Sequence, residues 1–287
     1  MRPVDLATPL LIVCSIGCNA RARSRVVLDD ARATDATFAA DSDERGDSET
    51  SAALAPLRSP SGLYEELSLS THASAVLSVP IGSTRPRPIL VVAHGNYDRP
   101  EWECSVWRSL LRNRAWILCL RGRVRTDVPF DDRPRYSYPS EPALAAEIAD
   151  GIAALEARHG PYVDRGTIAY AGFSLGAIYG PGVLRRLPRS TELAVMVEGS
   201  ASQWNRDAIA SFRQRGGRRL LFACGQRGCV VGARELLPRL RGAGIDARVV
   251  YAAGAGHSYS GPVAIAIRDA LDWLLEGDAR FAVGWSG

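Results

Sequence analysis

Thr167-Ile-Ala-Tyr-Ala-Gly-Phe-Ser-Leu-Gly-Ala177 is the stretch on which the fold turns. Its apolar run stops at Gly172-Phe173-Ser174-Leu175-Gly176, and the residues beyond Gly176 have helical character. The pattern predicts a strand, a sharp turn and a helix, with Ser174 at the apex. Gly172 and Gly176 carry no Cβ, so strand and helix can pass close together, while the apex serine sits in a strained conformation with its hydroxyl at the sheet edge. The next N–H, that of Leu175, lies at a helix N-terminus, where unpaired donors and the dipole favour negative charge. An acyl-transfer oxyanion would form there. G-x-S-x-G alone is short and recurs in Gly/Ser loops; the strand before it and a later histidine, His257, add weight.

Outward from this stretch, elements alternate. Upstream lie two short alternating stretches within Leu67 to Pro80, a continuous apolar run from Pro88 to His94, a helical pattern from Trp102 to Arg114 and a strand-like run from Trp116 to Leu120. Leu144, Ile148, Ile152 and Leu155 then recur at helical spacing between Ala143 and His159. Downstream, Leu175 to Leu187 reads as a helix broken at Gly180-Pro181-Gly182, because proline removes a hydrogen bond and kinks or shortens its helix. Strands come next at Leu193–Val197, Arg219–Cys224 and Asp246–Ala252, with helices at Trp204–Arg215, Ala233–Arg241 and Val263–Leu275. Buried strands alternating with helices predict an α/β fold with a doubly wound, mostly parallel sheet, since parallel neighbours need helical crossovers. Ligands in such sheets bind beyond the carboxyl ends of the strands, where His94, Ser174, Glu198, the Cys224–Cys229 loop and His257 all fall.

At 287 residues and 46% hydrophobic, the chain can bury one full core, expected over residues 61–287. The net charge of +4 invites a nucleic-acid reading, but there is no lysine, and the 35 arginines are interspersed with 31 carboxylates. That is a coding bias rather than a basic surface, and nucleic-acid binding is not expected. The five arginines at 121, 123, 125, 133 and 135 hint at an anionic substrate; Asp127, Asp131 and Asp132 among them favour a solvated loop. With no P-loop, H-E-x-x-H or paired C-x-x-C, neither a metal nor an organic cofactor is expected.

Arg2 and the apolar Leu6–Ile16 segment are too short for a membrane span and suit a signal peptide over residues 1–18. Ser15-Ile-Gly-Cys-Asn19 resembles a bacterial lipoprotein signal that would lipidate Cys18, the one route to a membrane; an ordinary secretory signal is the alternative. Residues 19–60 are rich in Ala, Asp, Ser, Arg and Thr, and read as a flexible tether. In an exported protein, Cys104, Cys119, Cys224 and Cys229 form an even set with three pairings. The short loop between Cys224 and Cys229 favours that local pair, with Cys104 to Cys119; four free thiols are the other outcome.

Taken jointly, Gly172 to Gly176, the His94-Gly95 pair ending an earlier strand and Gly254-Ala-Gly-His257 before the last helix resemble the α/β-hydrolase family, over about Leu63 to Leu275. The resemblance implies Ser174 as nucleophile, His257 as general base, and an oxyanion hole from the N–H groups of Leu175 and Asn96. It makes His94 a structural partner of the oxyanion loop. Tyr97, Tyr259 and Trp204 become candidates to line the pocket, with simple packing as the alternative for each. The family's acid normally lies after a later strand, but here that loop, Gly225-Gln226-Arg227-Gly228-Cys229, has no carboxylate. Glu198, ending a strand on the same edge, is the candidate substitute, with a capping or surface role as its alternative and a Ser–His pair without an acid as the other outcome. The implied activity is exported serine hydrolysis of a small-molecule ester. A peptidase or amidase of the same fold, or a surface-anchored binding protein without turnover, are the competing readings.

Overall fold

The computed structural model describes residues 54–127, 133–199 and 201–282. In chain order these form β1 (Tyr64–Leu67), β2 (Ala75–Ser78), β3 (Ile89–Ala93), α1 (Pro100–Leu111), β4 (Trp116–Cys119), β5 (Arg123–Val124), β6 (Tyr136–Ser137) and α2 (Glu141–His159). Next come β7 (Ile168–Phe173), α3 (Leu175–Arg186), β8 (Thr191–Val197), α4 (Arg206–Gln214), β9 (Arg219–Cys224), α5 (Arg227–Gly242), β10 (Asp246–Tyr251) and α6 (Pro262–Leu275). Eight strands make one sheet in the order β1-β2-β4-β3-β7-β8-β9-β10, and β5 pairs with β6 as a separate ribbon. β1 and β2 enter antiparallel; every pair from β4 to β10 is parallel. The chain thus has the α/β, mostly parallel architecture that its alternating pattern predicts.

Period-two alternation divides the core. Val91, Leu118, Tyr170, Met196 and Phe222 face one layer, against Leu144 and Ile148 of α2 and Leu236 of α5. Leu90, Ile117, Ala169, Val195 and Leu221 face the other, against Trp107 of α1 and Ile267 and Leu271 of α6. A strand covered on both faces must be apolar at every position, which is why β3, β4 and β7 are buried throughout. Side-chain caps mark helix starts: Ser140 accepts from the Ala143 N–H at 3.3 Å, and Asn205 from the Ala208 N–H at 2.9 Å.

Three expectations about the chain's course need correction. α3 runs unbroken through Pro181. Proline there leaves one carbonyl, that of Ala177, without its intrahelical donor, and the helix packs closely on the sheet beside it: a Cβ on Gly180 would come within 2.9 Å of the Met196 thioether. α5 starts at Arg227 instead of near Ala233, inside the expected loop. The folded chain also begins before residue 61. Leu57 is buried in the core, its N–H donates to Ser83 O at 2.9 Å, and its carbonyl accepts from Gly82 N at 2.9 Å, so the tether reading fails for residues 54–60.

Both expected disulfides are present, Cys104 to Cys119 and Cys224 to Cys229, with Cα separations of 5.9 and 5.6 Å. Among the described residues, no helix is long and apolar enough to cross a membrane. The signal segment and Cys18 lie outside the described residues.

Candidate active site

Strand β7 delivers Ser174 at φ 48° and ψ −108°, directly ahead of α3. The turn depends on its flanking glycines. A Cβ on Gly176 would collide with the Ala93 carbonyl of β3, and one on Gly172 would lie 2.5 Å from the Gly176 backbone. Hydrogen bonds then fix the bend: Ser174 N–H donates to Val197 O at 2.9 Å, Gly176 N–H to His94 O at 3.2 Å, and the Tyr170 hydroxyl to Gly176 O at 2.7 Å. The N–H groups of Leu175 and Asn96 have no hydrogen-bond partner among the described residues.

His257 arrives on the loop between β10 and α6, whose Gly254 and Gly256 take positive φ. Its Nε2 lies 2.8 Å from Ser174 Oγ, and its ring packs against Phe173 at 4.9 Å between centroids. Glu198 comes directly after β8 at φ 52° and is only 4% exposed. One carboxylate oxygen accepts from the N–H of Gly225 and, at 3.0 Å, from that of Gln226. The other has no hydrogen bond and lies 3.6 Å from His257 Nδ1. Among the described residues, four non-glycine positions have positive φ, and three of them, Tyr97, Ser174 and Glu198, close neighbouring strands at this edge. Such strain, on the order of 1–3 kcal/mol each, persists only where the surroundings enforce it.

His94 is buried away from the serine and clamps strand ends. Its Nε2 lies 2.9 Å from Arg121 O, its ring stacks on Tyr138 at 4.6 Å, and its backbone N–H donates to the Tyr138 hydroxyl at 3.1 Å. Burial pushes its pKa down. Tyr259 sets its ring edge-on to Phe173 at 4.7 Å, beneath His257, with its hydroxyl 3.4 Å from Asp98, and burial raises that hydroxyl's pKa. Tyr97 is exposed at the rim, with the Arg125 guanidinium over its ring at 4.2 Å. Trp204 is no part of this surface. It is 0% exposed and packs edge-on to Phe212 at 5.4 Å, because the chain before α4 turns it into the core.

Beside the oxyanion candidates runs a cleft of about 420 Å³, lined by Asn96, Leu175, Tyr179, Arg123 and Arg125 among others. Sequence reasoning named Arg123 and Arg125 but favoured a solvated loop for them, whereas both line the cleft, and it missed the Gly225 and Gln226 amides that hold Glu198, since a backbone donor carries no residue signature. A larger cavity of about 850 Å³, between residues 81–87, 109–114 and 268–272, has no histidine in its wall. It offers no serine–histidine contact like that of Ser174 with His257. No group of three His, Cys, Asp or Glu that could hold a metal occurs among the described residues.

The chain is similar in structure to TT1662 from Thermus thermophilus, with TM-score 0.50 and 19% identity over 74% of this chain and 98% of that one. It is similar also to an uncharacterized protein from Bacillus cereus, with TM-score 0.53 and 12% identity over 68% of this chain and 61% of that one. A carboxylesterase from Mesorhizobium loti matches with TM-score 0.49 and 19% identity over 72% of this chain and 99% of that one. No protein-family model matches the chain, and no curated protein matches it in sequence. At these identities the likeness is one of fold.

Proposed function

We propose that this chain, which has the α/β-hydrolase fold, is a serine hydrolase that cleaves a small-molecule ester through an acyl-enzyme on Ser174. The observation that carries the reading is the 2.8 Å approach of His257 Nε2 to Ser174 Oγ, within hydrogen-bond reach of a base. His257 takes the hydroxyl proton as Oγ attacks the ester carbonyl. The oxyanion is received by the Leu175 and Asn96 N–H groups, which have no other partner among the described residues. The imidazolium presents Nδ1–H to the free oxygen of Glu198, which moves from 3.6 Å to bonding distance as charge develops. His257 then protonates the leaving alcohol, and the same groups activate water to release the acid.

A fluorophosphonate probe is expected to label the protein, and Ser174→Ala to abolish both labelling and turnover of para-nitrophenyl esters. A folded protein that binds the ester but is neither labelled nor active would refute catalysis and leave the binding-protein reading. Faster cleavage of aminoacyl anilides than of esters would assign the same machinery to amides.

A further inference from the structure

The arginines between β4 and β6 have different fates. Arg121 is held inward, donating to Glu101 at 2.8 Å and to the Tyr136 hydroxyl at 3.2 Å. Arg135 lies over the Trp102 ring at 4.5 Å. Arg125 lines the cleft, but Asp127 pairs with it in a bidentate fork through Nε and Nη2, and it also donates to Asn96 Oδ1 at 3.1 Å and to the Tyr97 hydroxyl at 2.6 Å. Its charge is offset, and its role is to hold the oxyanion loop. Arg123, on β5, lines the same cleft and is exposed, and its guanidinium has no hydrogen bond or ion pair among the described residues. No carboxylate side chain lines this cleft among the described residues. Among the described residues its wall therefore carries one uncompensated guanidinium, and the N-terminus of α3 adds partial positive charge at Leu175.

Resting on the proposed ester hydrolysis, we propose that the substrate is a monoanionic ester, one whose acyl chain carries a carboxylate that Arg123 receives in the cleft beside Asn96 and Leu175. A guanidinium matches a carboxylate in charge and in fork geometry. A single uncompensated cation suits one negative charge better than the two of a phosphomonoester. Arg123 is then a specificity-determining residue that touches the substrate's far end, while Ser174 and His257 act on the carbonyl.

The test compares para-nitrophenyl valerate with the para-nitrophenyl half-ester of glutaric acid, alike except that a carboxylate replaces the terminal methyl. Rates are corrected with Ser174→Ala for spontaneous breakdown of the half-ester. The native protein is expected to favour the half-ester in kcat/KM by about tenfold, as befits one charge-assisted hydrogen bond. The preference should shrink with added salt, since Arg123 is exposed. Arg123→Gln should bring the ratio near parity and Arg123→Glu should invert it. Arg268→Gln, on α6 away from the cleft, removes the same formal charge and should leave the ratio in place. Fluorophosphonate labelling of each arginine variant confirms that it is folded. Equal use of both esters by the native protein, or an unchanged ratio in Arg123→Gln, overturns the inference while ester hydrolysis stands. No labelling and no turnover of either ester overturns both.

Discussion

Among the buried carboxylates of this molecule, Glu198 at 4% exposure and Glu103 at 1% make the sharpest contrast. They solve the same problem in opposite ways. Glu198 is given donors, the N–H groups of Gly225 and Gln226 on one oxygen and His257 facing the other. Glu103, on α1, has no hydrogen bond to either oxygen. Desolvation first, then the nearby charge of Asp98, pushes its pKa well above the usual carboxylate range. A buried carboxylate stays charged only where donors replace water. Such donors surround Glu198, as they do the buried Glu147, and they are missing around Glu103.

Replacing each acid by its amide separates the two cases. Glu198→Gln is expected to lower kcat by about a thousandfold, because the amide cannot stabilise the imidazolium and favours the wrong histidine tautomer. Glu103→Gln should leave kcat within about twofold, far below the effect of a lost triad member. Equal losses in the two variants would mean that Glu198 is a structural acid and that some other group orients His257.

The donors on Glu198 belong to the short loop closed by Cys224 and Cys229, whereas Cys104 and Cys119 tie α1 to β4 at a distance from Ser174. Replacing the first pair by alanines should lower kcat by about tenfold, the size of one loosened charge-assisted bond. Replacing the second should lower Tm, consistent with the roughly 2–4 kcal/mol typical of a lost disulfide, while kcat holds. The kcat–Tm split is the readout. If both double variants change only Tm, the Cys224–Cys229 loop does not position the acid.

Much of this arrangement was legible because it is written in side chains. Apolar runs announce strands covered on both faces, and Gly172 and Gly176 announce a crossing too tight for a Cβ, so the turn, Ser174 and the parallel character of the sheet could be read directly. His257 was readable because the glycines at 254 and 256 allow the positive φ that its loop requires. Glu198 could be reached by elimination among the acids, but its holders could not, since any residue supplies an N–H. Pro181 misled because the residue weakens a helix locally, while the close packing of α3 on the sheet, Gly180 on Met196, is tertiary. Trp204 misled for the converse reason: an aromatic near the catalytic edge in sequence can turn either way, and burial decides. The arginines at 121, 123 and 125 look alike in sequence and differ only once β5 pairs with β6 and Asp127 takes Arg125.

The smallest expected effect is on stability, and its sign comes from the raised pKa of Glu103. Its folded pKa lies above the ordinary value of 4.5, so the native state binds this proton more tightly than the unfolded chain does. Below that pH both states hold the proton and the residue contributes no pH dependence. As pH rises, the unfolded chain releases its proton while the native state retains it, and stability falls until the folded pKa is passed. Glutamine mimics the protonated acid and removes this loss. Melting curves should therefore nearly coincide for native protein and Glu103→Gln at acid pH and separate above it, the variant being higher by about 2–4 °C for each kcal/mol recovered. Glu198→Gln should show no such gain, because the native carboxylate already accepts from the Gly225 and Gln226 N–H groups. A Glu103→Gln variant that melts lower at neutral pH would mean that the native carboxyl is charged and partnered, and the contrast between the two acids would disappear.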